Sequence, residues 1–318
     1  MKNILVIGAG RSATTLIRYL LDNALDNNWF VTIADYSEEL AKQAVGNSEN
    51  AKAIFFNATD EKQREYEIIN SDIIISMLPA SMHIVVARDC VRLKKDLVTA
   101  SYVSDEVSEL DEIAKHAGVL LLNEIGLDPG IDHMSAMQII DEIKEKGGEI
   151  TSFKSFCGGL VHPDYDNNPW NYKFTWNPRN VVVAGQGGAQ YIEGGTIKFI
   201  PYNNLFVRVE NMDILDAGSF EAYANRDSLS YRKSYGIKNI STLIRGTLRR
   251  KGYSESWNYF VQLGLTDDTY IIKNSEELTY REYLNIHLPF SGSLTLEERF
   301  CKELGITEDS DSFQKVKW

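Results

Sequence analysis

The residues able to do acid–base chemistry gather around one stretch, Asn123-Glu-Ile-Gly-Leu-Asp-Pro-Gly-Ile-Asp-His133. Asp128 sits directly before Pro129, which pushes its backbone towards an extended conformation. Gly130 can take backbone angles closed to other residues, so a sharp, fixed turn is expected here. A carboxylate on a rigid turn is well placed to move a proton. Asp132 is expected to N-cap the helix that follows, marked by Met134, Met137, Ile140 and Ile143 and ending near Gly147-Gly148. Two further groups can share proton transfers with a carboxylate where burial separates their pKa values: the Tyr102 phenol and the Cys157 thiol. Tyr102 follows Ser101 at a strand end, and Cys157 precedes Gly158-Gly159. On position alone, packing is the competing role for both.

Arg226, Arg245 and Arg249 are candidate carboxylate holders, because the planar guanidinium fork binds a carboxylate with two parallel hydrogen bonds. Arg245 and Arg249 lie four apart on an expected helix, Ile240 to Arg250, and would then point the same way. The competing role is solvated surface, which Arg249-Arg-Lys251 partly resembles. His83, His116, His133 and His162 show no metal-ligand spacing, and no metal is expected. His133 is either a relay beside Asp132 or a structural residue.

These groups need elements to carry them. Ile4-Leu-Val-Ile7 reads as a strand, followed by Gly8-Ala9-Gly10-Arg11-Ser12-Ala13 and a helix marked by Leu16, Ile17, Leu20 and Leu21. This G-x-G-x-x-A pattern between a strand and a helix is a dinucleotide-binding loop. Gly8 allows the tight turn, Gly10 the approach of a pyrophosphate, and small Ala13 the packing of helix on strand. A second strand, Phe30 to Ala34, ends at Asp35, where an acid receives the adenosine ribose. That acid repels a 2′-phosphate and favours NAD over NADP, although Arg11 could accommodate the phosphate. Further strands are expected at Ala53 to Phe56, in the run Asp72 to Pro79, at Asp96 to Thr99 and at Val119 to Leu122, with helices between them. Leu78, in the second of these runs, is taken as one more cofactor contact. Strand–helix alternation through residue 122 means a doubly wound parallel sheet.

Beyond residue 150 the pattern changes to strand-like segments at Ile150 to Phe156, Val181 to Val183, Thr196 to Ile200 and Leu205 to Val209, separated by turns such as Gly185 to Gly188. A mostly antiparallel α+β domain is expected, with helices dominating after Tyr231. Trp170, Tyr172, Phe174 and Trp176 alternate as if on one face of a strand. The expected division is residues 1–126 for the dinucleotide domain and 127–318 for the substrate domain.

With 318 residues, 43% hydrophobic and 25% charged, the composition is that of an ordinary globular protein. A formal net charge of −12 argues against a nucleic-acid partner. No apolar run suggests a membrane span, and because Met1-Lys2-Asn3 passes straight into the first strand, no signal peptide is expected. Cys90, Cys157 and Cys301 are too few and too scattered for a disulfide framework, so a reducing, cytoplasmic setting is expected.

Taken in order, several stretches resemble saccharopine reductase, the glutamate-forming saccharopine dehydrogenase of lysine metabolism. They are the Gly8-x-Gly10 loop, Thr99-Ala-Ser-Tyr102, Asn123 to His133, Phe156-Cys-Gly-Gly-Leu160, Asn225-Arg-Asp-Ser228 and Arg245-Gly-Thr-Leu-Arg249. The resemblance implies oxidation of the secondary amine of saccharopine by a nicotinamide cofactor, then hydrolysis to glutamate and 2-aminoadipate 6-semialdehyde, reversibly. It implies reacting-centre roles for Tyr102, Asp128 and Cys157. Substrate contacts would come from Ser101, Tyr102, Asp128, Arg226, Arg245, Thr247 and Arg249, in a homodimer. Two features depart from the family. Fungal members carry a basic, NADP-reading motif where this chain has Asp35-Tyr-Ser37, and family chains continue well past the position of Trp318. The latter implies a truncated chain or a reduced member. The competing functions are a related carbon–nitrogen oxidoreductase such as carboxynorspermidine dehydrogenase, whose substrate needs fewer cations, and a dinucleotide-binding module without catalysis.

Overall fold

Short apolar runs ended by polar residues become six parallel strands: β1 (Lys2–Ile7), β2 (Trp29–Asp35), β3 (Ala51–Phe55), β4 (Ile73–Ser76), β5 (Asp96–Thr99) and β6 (Leu121–Leu122). The structure, a computed structural model, describes residues 1–184, 186–290 and 292–318. Two units divide the chain, Met1–Ala136 and Met137–Trp318.

In the first unit the strand order is β3-β2-β1-β4-β5-β6, the doubly wound arrangement whose order reverses between β1 and β4. The loops leaving these two strands therefore meet at the switch point. Helices cover both faces, which is why the strands carry apolar residues on both sides: Leu5, Ile7, Ile33 and Ile74 are all fully buried. The helices Glu61–Ile69 and His83–Leu93 are joined by a buried ion pair, Arg64 Nε to Asp89 Oδ2 at 2.5 Å. Arg64 Nη1 also donates to the Ala58 carbonyl at 2.7 Å, so the guanidinium is anchored as well as paired.

The second unit holds a seven-stranded sheet: β7 (Ser152–Cys157), β8 (Ala189–Glu193), β9 (Thr196–Ile200), β10 (Glu210–Ile214), β11 (Gly218–Ala224), β12 (Arg226–Asp227) and β13 (Thr242–Arg250). Its pairings are antiparallel except β7 with β13 and β8 with β12. The expected helix over Ile240 to Arg250 is instead the central strand β13. It is flanked on both edges and buried along most of its length, so no alternation of polar and apolar residues marks it as a strand. Val181 to Val183, expected as a strand, lies largely in the short helix Pro178–Val182. There Pro178 opens the first turn, and the Asn177 side chain caps it by accepting from Arg179 N. Leu205 to Val209 forms no strand either; Leu205 and Phe206 are buried in a turn ahead of β10. Gly185 of the expected 185–188 turn lies outside the described residues.

Residues 170–176 form no strand. Trp170 packs among Tyr253, Trp257 and Phe260, whereas Phe174 and Trp176 remain exposed. Their alternation reflects an irregular segment that turns two rings into the core. Among the described residues no helix is long and apolar enough to cross a membrane.

Candidate functional site

The glycine loop after β1 is built by close approach. Gly8 has φ +108°, and a Cβ on it would lie 2.8 Å from the Met77 carbonyl oxygen at the end of β4. Only glycine lets these two strand ends meet. A Cβ on Gly10 would meet nothing within 4 Å, which leaves open space above the loop. Arg11–Ala13 then form a single 3-10 turn leading into the helix Thr14–Asp22, with Ala13 fully buried and Arg11 and Ser12 exposed. Asp35 accepts from Ala9 N at 2.7 Å and from Ser37 N at 2.8 Å, one bond to each carboxylate oxygen. Its first duty is thus to tie the glycine loop to the end of β2. Leu78 lies half-buried beyond β4, against the core. An open cradle at Gly10, a helix N-terminus behind it and a fixed acid beside it fit a dinucleotide.

The loops leaving β5 and β6 are zipped together. Glu124 N donates to Ser101 O at 3.1 Å, Ile125 N to Thr99 O at 3.2 Å, and Val103 N to Glu124 Oε1 at 3.1 Å. Beyond them the turn closes on itself, with Gly126 N donating to Pro129 O and Ile131 N to Gly126 O, both at 2.9 Å. Gly130, at φ +150°, permits this closure: a Cβ there would lie 2.0 Å from Gly126 O. The Asp128–Pro129 peptide is cis. At the tip, half-buried Asp128 accepts from the Tyr102 hydroxyl at 2.7 Å. Sequence reasoning named both residues; the structure brings them into direct contact.

Asp132 does not act as the expected cap. The helix Ile131–Glu145 has already begun at Ile131, and the Asp132 carboxylate turns back to accept from Gly130 N at 2.8 Å. His133 stands between two acids, with Nε2 3.3 Å from Glu124 Oε2 and Nδ1 3.8 Å from Asp132 Oδ2. Sequence reasoning missed Glu124, although it lies inside the singled-out stretch, and it also missed His83. The His83 ring is buried, with Nδ1 2.9 Å from Ser76 Oγ and Nε2 2.8 Å from Ser101 Oγ. Burial lowers its pKa to about 4, so the ring is neutral near pH 7.

In the second unit the remaining candidates lie on neighbouring strands. Cys157 ends β7 in register with Thr247 of β13, which is in turn opposite Tyr223 of β11. Residues in register share a face, so these three form a row across the sheet. Gly158 lets the chain pass β13 directly after the thiol, since a Cβ there would lie 2.3 Å from Leu248 O. Arg245 and Arg249 flank Thr247 on the same face, for the period-2 reason of a strand and not the period of the expected helix. Both are buried. The Arg245 guanidinium stacks 4.2 Å over Tyr231, and that of Arg249 lies 4.7 Å from the ring centre of Tyr172 and 5.2 Å from that of Tyr253. Burial pushes the Tyr223 and Tyr253 phenols up, keeping them neutral beside the cation.

Arg226 is exposed on β12 with φ +49°. Its segment is pinned to β13, because Asn225 N donates to Arg245 O and Arg245 N donates to Ser228 Oγ, both at 2.9 Å. Among the described residues no group of three or more His, Cys, Asp or Glu is placed to hold a metal ion.

A doubly wound dinucleotide fold followed by a mixed-sheet α+β unit defines a two-part oxidoreductase-like architecture. Residues 4–122 match the family model described as "Saccharopine dehydrogenase NADP binding domain", and residues 126–316 match "Saccharopine dehydrogenase C-terminal domain". The chain belongs to the saccharopine dehydrogenase family. It is 36% identical over 287 residues to "Saccharopine dehydrogenase [NADP(+), L-glutamate-forming]" of Saccharomyces cerevisiae, covering 90% of this chain and 64% of that one. To "Alpha-aminoadipic semialdehyde synthase" of Arabidopsis thaliana it is 38% identical over 333 residues, covering 94% of this chain and 31% of the relative. The solved apo structure of the histidine-tagged S. cerevisiae enzyme superposes with a TM-score of 0.83 at 33% identity, covering all of this chain and 71% of that one. The chain therefore spans between about a third and two-thirds of the length of these curated relatives.

Proposed function

We propose that the protein is an NADP-dependent oxidoreductase acting on the secondary amine of saccharopine, with glutamate and 2-aminoadipate 6-semialdehyde as products. The observation that carries this reading is the Tyr102–Asp128 hydrogen bond of 2.7 Å, held on a closed turn at the carboxyl end of a dinucleotide-binding sheet. The family membership and the activities for which the relatives are named supply the substrate.

A nicotinamide cofactor held by the glycine loop would supply the hydride acceptor for the carbon beside the amine. Asp128 accepts the amine proton, and the Tyr102 hydroxyl steadies the carboxylate until it does so. In the hydrolytic half, Asp128, once it has passed that proton to solvent, takes a proton from the attacking water and returns it to the departing amino group. The Cys157 thiol is assigned to the reacting centre from the family motif that it shares. Arg226 and Arg245, with Thr247 and Arg249 on the same strand face, hold substrate carboxylates; Ser101 adds a hydroxyl contact.

Gly8, Ala9, Gly10, Ser12, Ala13 and Leu78 form the cofactor seat. NADP replaces the NAD inferred from Asp35, whose carboxylate oxygens each already receive a backbone N–H. Exposed Arg11 is assigned to the 2′-phosphate. A cytoplasmic homodimer completes the reading.

The test is reduction of NADP⁺ and NAD⁺, followed in parallel at rising saccharopine concentration. Saccharopine-dependent reduction with NADP⁺, abolished in Asp128→Asn, supports the reading. Preference for NAD⁺ overturns the cofactor assignment, and no turnover with either cofactor overturns the substrate.

A further inference from the structure

We infer that His83, a residue buried behind the proposed site, is a positioning residue that turns the Ser101 hydroxyl hydrogen outward, towards a carboxylate oxygen of the substrate. The imidazole joins two hydroxyls. Ser76 Oγ, fully buried at the end of β4, lies 2.9 Å from Nδ1, and Ser101 Oγ lies 2.8 Å from Nε2. A neutral imidazole has one donor and one acceptor nitrogen.

The Ser76 hydrogen needs an acceptor inside the core, and Nδ1 supplies it. Nε2 must then carry the ring proton and donate to Ser101 Oγ. The Ser101 oxygen is thus filled from the interior, while its own hydrogen is left for the ligand side. Thr99 holds the same segment without choosing between the ring nitrogens: its Oγ1 accepts from Ser101 N at 3.3 Å and lies 3.3 Å from Nε2 and 3.5 Å from Nδ1. Ser101 immediately precedes Tyr102, so the same wiring holds the segment that carries the phenol.

The kinetic arm of the test rests on the proposed function; the spectroscopic arm does not. His83→Asn keeps an amide near Nδ1 but loses the reach to Ser101, whereas His83→Gln places an amide N–H near Nε2. Loss of one hydrogen bond to a charged group raises KM for saccharopine about tenfold in Ser101→Ala and in His83→Asn, with a far smaller effect on kcat. The double variant is no worse than either single one, and His83→Gln returns KM to within about threefold of wild type. Multiplying effects in the double variant, or an unchanged KM in His83→Asn, would overturn the assignment. Nitrogen-15 NMR of the wild-type protein should show the Nε2–H tautomer of His83. An Nδ1–H tautomer overturns the inference whatever the activity, while absence of turnover in wild type with the Nε2–H tautomer present refutes only the function.

Discussion

Replacing Gly130 by alanine tests whether the closed turn is what holds the candidate acid–base pair. The added Cβ would lie 2.0 Å from Gly126 O and 2.5 Å from Gly126 N, where unbonded atoms rest at about 3.5 Å. Both contacts are backbone, so no side chain can swing aside and the turn itself must open by about 1–1.5 Å. The Tyr102–Asp128 bond, now 2.7 Å, would be stretched past the roughly 3.5 Å at which it ceases to count as one. Alanine also meets a φ of +150° that side chains avoid, adding about 1–3 kcal/mol of backbone strain. With about 1–3 kcal/mol more from overpacking, the cost is roughly 3–4 kcal/mol. For a chain of this size that corresponds to a fall in Tm of about 10 °C.

Displacing a catalytic group by an ångström lowers turnover about a hundredfold. The assay pairs saccharopine-dependent NADP⁺ reduction with thermal melting and with direct NADP⁺ binding. Binding should stay within about twofold of wild type, because the glycine loop lies on other elements of the unit. Wild-type turnover and Tm in Gly130→Ala would refute the reasoning.

Gly10→Ala should give the opposite pattern: an unchanged Tm, since the methyl meets nothing within 4 Å, but NADP⁺ affinity weakened at least tenfold in a fluorescence titration because the methyl occupies the pyrophosphate's space. Removing the cation in Arg64→Met leaves Asp89 buried beside Arg92 alone, and chemical denaturation should report a loss of about 3 kcal/mol. The lowered pKa of His83 makes stability depend on pH. Below pH 6.5 the unfolded chain binds a proton that the folded ring refuses until about pH 4, so stability is full above 6.5 and falls as pH drops to 4. The loss amounts to about 3 kcal/mol. Denaturation across that range should show His83→Gln with the shallower slope, and equal slopes would count against the buried neutral ring.

Local chemistry was enough to determine the first unit and the turn. Strand and helix alternation up to residue 122 needs only the run lengths of apolar residues, and Gly8, Gly10, Pro129 and Gly130 act on their own backbone neighbourhoods. Asp128 and Tyr102 could be named for the same reason, each lying at a strand end or turn. Long-range packing decided the rest. Burial on both faces erased the period of β13, so Arg245 and Arg249 share a face as strand residues although their spacing suited a helix equally well. Asp132 has the side chain of a cap, but closure of the turn through Gly126 starts the helix two residues earlier and redirects its carboxylate. The contacts of His83 with Ser76 and Ser101, and of Glu124 with Val103 and His133, join residues from different elements. Nothing in their local sequence marks these contacts, because a hydrogen bond across a fold depends on where the backbone brings the partners and not on what stands beside each in the chain.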